Sequence, residues 1–127
     1  MDGVYYDAAG NLIGIETERG KPMINEFAKA VHDNSVNHGW WDEPRAFGEI
    51  IALCHSELSE ALEAFRNGEE MIWMNDGKPD GIGVEMCDCI IRILDYLAYK
   101  GFDIDQALEM KYLYNTTRPY RHGGKRI

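Results

Sequence analysis

Apolar residues recur at three- and four-residue spacing along most of the chain, and four segments carry that period. The first runs from Met23 to about His38, with Ile24, Phe27, Ala28, Val31 and Val36 on one stripe, Pro22 at its entry and Gly39 at its end. A loop, NHGWWDEPRAF, follows and holds two adjacent tryptophans, Trp40 and Trp41. Asp42 or Glu43 is placed to cap a second helix with Pro44 in its first turn. That helix runs to about Arg66 and stops at Asn67-Gly68. Its stripe is Phe47, Ile50, Ile51, Cys54, Leu58, Ala61, Leu62 and Phe65, with Glu57 on the flank and Glu60 further round.

Residues 69–80 read as a linker with Trp73, a DGKPDG turn cluster and room for a short helical turn. A third helix starts between Gly81 and Val84 and ends at Lys100-Gly101. Its expected core face is Val84, Cys87, Ile90, Ile91, Leu94, Leu97 and Ala98. Glu85, Asp88, Arg92 and Asp95 fall on the opposite arc, Asp88 nearest the core edge. Asp103 caps a fourth helix through about Tyr114, bearing Ile104, Ala107 and Leu108. Before the first helix, residues 1–22 form an arm, either irregular or a hairpin of Val4–Tyr6 with Leu12–Ile15 around a turn at Asp7–Asn11. The expectation is an all-α, four-helix bundle in one domain, 23–127, ending in a basic tail, TTRPYRHGGKRI.

Charge narrows the function classes. Lys and Arg number 13 against 22 Asp and Glu, a net charge of −9. An acidic chain lacks the basic footprint that nonspecific binding to a nucleic acid polymer needs. CIIRILDYLAY, the longest apolar candidate, is broken by Arg92 and Asp95, so no membrane span is expected. The N-terminus has neither the basic start nor the apolar stretch of a signal peptide. Cys54, Cys87 and Cys89, an odd count inside helical segments, point to free thiols in a reducing cytoplasm.

The chemistry concentrates in two acidic pairs, Glu57-x-x-Glu60 and Glu85-x-x-Asp88. Residues three apart on a helix are surface neighbours, so each pair can aim two carboxylates in one direction. If the two helices pack antiparallel, four carboxylates converge. Like charges repel, and a divalent cation removes the conflict; oxygen-only ligands suit a hard ion such as Mg²⁺, with Mn²⁺ as a substitute. A di-iron bundle needs Glu-x-x-His on two helices, but His55 lies two residues before Glu57 and the third helix has no histidine. His38 and His55 read as structural. Lys111 and Asn115, four apart, share a face of the fourth helix and can hold phosphate oxygens, with Arg118, Arg121 and Lys125 following. One of Trp40 and Trp41 is expected to pack in the core, leaving the other able to stack on a nucleobase.

HGWWDEPRAFGEIIALCHSELSEALEAF, KPDGIGVEMCDCIIRILDYLAYKG and EMKYLYNTTRPYRHGGKRI resemble the MazG-like nucleotide pyrophosphohydrolases of the all-α NTP pyrophosphatase superfamily, over about residues 24–127. The metal motif of that family is Glu-x-x-Glu, a variable gap, then Glu-x-x-Asp; here residues 61–84 fill the gap. The resemblance implies a helical bundle that forms homodimers or homotetramers. It implies Mg²⁺ held by Glu57, Glu60, Glu85 and Asp88, and hydrolysis of a nucleoside triphosphate between the α- and β-phosphates to a monophosphate and pyrophosphate. Glu57 or Glu60 would handle the attacking water, and Lys111, Asn115 and the tail cations would contact phosphates. Two alternatives stay open: a dUTPase- or dCTPase-like specialist of the same superfamily, and a noncatalytic helical module that binds nucleotides.

Overall fold

The computed structural model describes residues 3–6, 12–16 and 23–127. It is mostly helical, as the periodicity predicts. The expected turn at Asp7–Asn11 and Pro22 lie outside the described residues. The element order is β1 (Gly3–Tyr6), β2 (Leu12–Glu16), α1 (Ile24–Asn37), α2 (Phe47–Arg66), β3 (Trp73–Asn75), β4 (Lys78–Asp80), α3 (Ile82–Tyr99), α4 (Ile104–Thr116) and α5 (Arg121–Gly124). The chain divides into two compact units, residues 1–27 with 102–127, and residues 28–101.

In the first unit β1 and β2 pair antiparallel, the pairing that the hairpin alternative expects. The starts of α1 and α4 cap each other. Asp105 accepts from the backbone N–H of Ile24 (2.8 Å) and of Asn25 (3.3 Å). Asn25 Oδ1 in turn accepts from the N–H of Ile104 (2.7 Å) and Asp105 (3.3 Å). Asp103 is the expected N-cap of α4, accepting from Gln106 N–H at 3.1 Å. Hydrogen bonds from Asn25 and Gln106 hold its carboxyl below the usual carboxylate range. Helix ends leave amides unpaired, and these side chains satisfy them. In α5, His122 and Gly123 take positive φ, so this basic segment is a turn more than a helix.

The second unit is built on α2 and α3. Phe47 meets Tyr96, Glu57 meets Arg92 and Glu60 meets Glu85, so the two helices run antiparallel. The start of α2 differs from the sequence expectation: Ala46, extended and without a side-chain cap, precedes Phe47, and Pro44 stays in the loop. The reason is tertiary. Arg45 is drawn to Asp95 (4.0 Å) and lies over the rings of Trp40 and Trp41, which holds the loop extended past the local capping signals. The end of α2 is as expected: Gly68 at φ +73 lets its N–H reach Phe65 O while Glu69 N–H reaches Ala64 O.

Segment 69–80 is also corrected. It holds a hairpin, β3 paired with β4, turned by Asp76 and Gly77 at positive φ. Asp-Gly between extended residues is the signal for this turn. At its far end Gly81 sits at φ +126, with no room for a Cβ against the carbonyls of Glu70 and Met71. Those same carbonyls accept from Ile82 N–H (3.0 Å) and Gly83 N–H (2.8 Å), which ties the first turn of α3 to the segment after α2.

The faces that meet are the main departure from the sequence expectation. On α2 the buried residues are Ile50, Cys54, Glu57, Ala61 and Ala64, so Glu57 lies within the buried stripe and not on its flank. Phe47, Ile51, Leu58, Leu62 and Phe65 form a second stripe that is exposed. On α3 the buried residues are Cys89, Leu94 and Asp95, whereas Cys87, Ile90 and Ile91, expected in the core, are exposed. Leu94 is buried as expected, but so is Asp95 of the charged arc, and Glu85, Asp88 and Arg92 are half-buried. The cause is polar: Asp95 accepts from Ser35 Oγ (2.8 Å) and Trp41 Nε1 (3.0 Å) and bonds His32 Nδ1 (2.7 Å). Trp41 stacks on Tyr99 with centroids 4.1 Å apart. One buried carboxylate thus ties α1 and the tryptophan loop to α3. Asp95→Ala strands these donors, and the expected cost is about 3–5 kcal/mol, measured as loss of stability in urea unfolding.

Candidate metal centre

Helical spacing on two antiparallel helices brings the acidic groups together. Glu57 of α2 and Glu85 and Asp88 of α3 each offer an oxygen within 4.8 Å of the others. Glu60, one turn further along α2, is exposed and hydrogen-bonds Glu85. All four motif carboxylates thus belong to one cluster, three of them at ligand spacing.

Glu57 is 7% exposed. Its Oε1 accepts from Arg92 Nε at 2.9 Å, and its Oε2 is buried with no hydrogen-bond partner among the described residues. A buried, unpaired carboxylate oxygen costs free energy unless something positive satisfies it. A hard cation held by oxygen ligands meets that need, so the residues fit a divalent ion such as Mg²⁺ or Mn²⁺. Nothing in the donor set distinguishes between the two.

The strain of the cluster shows in its protons. Burial, then the hydrogen bond and charge of Glu60, with Asp88 and Glu57 adding, push Glu85 up to about 7. Burial and the Glu57 charge raise Asp88, and Arg92 and Lys78 oppose them. Lys78 stands on β4, so the hairpin contributes a countercharge to the site. Beside the acids, Cys54 and Cys89 join Ile50 in the core, with Trp41 and Tyr96 against them. Burial and then the Cys89 thiol raise Cys54, which makes it an unreactive packing group. Cys54, Cys87 and Cys89 are free.

Lys111 and Asn115 both stand on exposed positions of α4. Lys111 Nζ lies 5.0 Å and the Arg118 guanidinium 5.7 Å from the Tyr114 ring centroid. Arg121 lies over Tyr120, and Lys125 follows α5, exposed. Of the two tryptophans, Trp41 is the packed one and Trp40 is exposed. His38 bonds the carbonyl of Asn34, a structural role.

Three participants escaped the sequence reading: Arg92 as partner of Glu57, Asp95 as the anchor of the tryptophan loop, and His32 as partner of Asp95. A signal existed for the first two. Glu85, Asp88, Arg92 and Asp95 recur at three- and four-residue spacing, and such a charged stripe on an otherwise apolar helix marks a buried polar seam as readily as a solvated face.

The raised Glu85 sets the sign of a pH effect. With its folded value at about 7 against an ordinary 4.5, its contribution to stability is fully present below about 4.5 and is lost as pH rises through about 7. Glu85→Gln, always neutral, should match the wild-type melting temperature in metal-free buffer near pH 4.5 and exceed it at pH 8. Equal melting temperatures at both pH values would show that Glu85 ionises without strain. No protein-family model matches the chain, nor does any curated protein or solved structure.

Proposed function

We infer that the protein is a Mg²⁺-dependent nucleoside triphosphate pyrophosphohydrolase of the MazG-like kind. The observation that carries this reading is the buried, unpartnered Oε2 of Glu57 beside Glu85 and Asp88. A folding scaffold gains nothing from that arrangement, whereas a cation-binding centre requires it. The motif order and the flanking stretches that resemble MazG-like enzymes supply the reaction class.

A bound Mg²⁺ would offset triphosphate charge and acidify a water molecule. Glu57, Glu85 and Asp88 are the ligands at the centre of the cluster, and Glu60 completes the set. Glu60 is also the group assigned to the attacking water: it is exposed, it reaches Glu85, and a carboxylate there can orient the water or take its proton. Lys111, Asn115, Arg118, Arg121 and Lys125 are assigned to phosphate oxygens, where cations stabilise charge building on the leaving pyrophosphate. Trp40 is assigned to the base.

The exposed apolar stripe of α2 supports self-association. Phe47, Ile51, Leu58, Leu62 and Phe65 present one continuous apolar face, and Ile90 and Ile91 are exposed on α3. A second copy of the chain is the occupant proposed for it.

Pyrophosphate release from a panel of ribo- and deoxyribonucleoside triphosphates should occur with Mg²⁺ and stop with EDTA. Release of single phosphates would refute cleavage between the α- and β-phosphates, and binding without turnover would favour the nucleotide-binding module. Glu60→Gln should lose at least 100-fold in kcat, on the order of a general-base contribution, with native helicity by circular dichroism. Light scattering should find a dimer or tetramer, and Leu58→Glu with Leu62→Glu should yield monomers.

A further inference from the structure

Arg92 stands one turn after Asp88 on α3, and its Nε–H donates to Glu57 Oε1 at 2.9 Å. The Glu57 side chain is 9% exposed and that of Arg92 37%. Arg92 also lines a small cleft with Trp41, Arg45, Asp95 and Tyr96. A guanidinium this close to a cation site is electrostatically adverse, because it repels the incoming ion. Such a placement calls for a compensating gain, and the geometry supplies one. A carboxylate is free to rotate and to offer either oxygen, or both. With Oε1 held by a planar, directional N–H, Glu57 has one oxygen left to present, the buried Oε2. An ammonium group would balance charge equally well but could not fix the direction of the carboxylate in this way.

We propose that Arg92 is a positioning residue for a cation centre: it pins Glu57 through Oε1 so that Oε2 alone faces the ion. This rests on the metal-binding reading above. Groups that orient a metal ligand typically set 10–100-fold in metal affinity. A role in charge balance alone has the opposite sign, since removing the positive charge would then tighten cation binding.

The test is Mn²⁺ affinity by calorimetry on the full chain, without nucleotide, for wild type, Arg92→Lys and Arg92→Met, each checked for native helicity by circular dichroism. Positioning predicts that both variants bind Mn²⁺ about 10–100-fold more weakly. Arg92→Lys carries the test alone if Arg92→Met fails to fold. Binding by Arg92→Lys as tight as wild type, or tighter binding by Arg92→Met, overturns the proposal and leaves the metal centre standing. Wild type that binds no Mn²⁺ overturns both the centre and the role given to Arg92.

Discussion

A carboxylate removed from water must be neutralised, hydrogen-bonded or protonated, and the seam between α2 and α3 is arranged around that requirement. Glu57 is buried among other acids, and the effective penalty for burying such an ion is several kcal/mol. Arg92 answers one of its oxygens, and Glu85 holds its proton to about neutral pH beside it. The remaining oxygen has no hydrogen-bond partner among the described residues. Lys78 on the hairpin adds a countercharge to Asp88, and one turn beyond Arg92 the buried Asp95 is satisfied instead by His32, Ser35 and Trp41. Two buried acids on one seam thus meet opposite fates: Asp95 is saturated by donors and serves architecture, while Glu57 is left half-satisfied, which is what the proposed metal centre builds on.

That seam is lined by small residues. Cys54, Ala61 and Ala64 on α2 and Cys89 on α3 are buried beside Ile50, and small side chains let helices approach closely enough for the Glu57 and Arg92 side chains to meet across them. Most of the other large apolar residues, Phe47, Ile51, Leu58, Leu62 and Phe65 on α2 and Ile90 and Ile91 on α3, are left exposed. That exposed apolar surface gives the self-association proposed above its physical motive.

Much of this was legible in the sequence. Periodicity located α1, α3 and α4 to within a residue or two, and the acidic spacing identified the carboxylates that converge. What periodicity could not supply was which stripe faces inward. Both α2 and α3 carry two usable stripes, and hydropathy alone selects the more apolar one. The structure keeps Ile50, Cys54 and Ala61 of the expected α2 stripe and Leu94 of the expected α3 face, but turns each helix toward its polar side, because hydrogen bonds to Asp95 and the Arg92–Glu57 pair are made between elements there. Local signals likewise put the start of α2 too early, since nothing in Asp42–Pro44 encodes the distant Asp95 that holds Arg45. The β3–β4 hairpin is a different case: Asp76-Gly77 encoded it, and the flanking residues, short and exposed, offered too little alternation to support the turn signal.

The hairpin is also closed at its base independently of its strands. The first amides of α3 are bonded to the carbonyls of Glu70 and Met71, so the helix is moored before the strands begin. The excursion from 72 to 80 leaves and returns to a closed neck. Residues added at its tip therefore leave the neck and the start of α3 in place, and what they move is the Lys78 countercharge to Asp88. The spacing between the two acidic pairs along the chain is thus set by ornament, and their spacing in space by the neck.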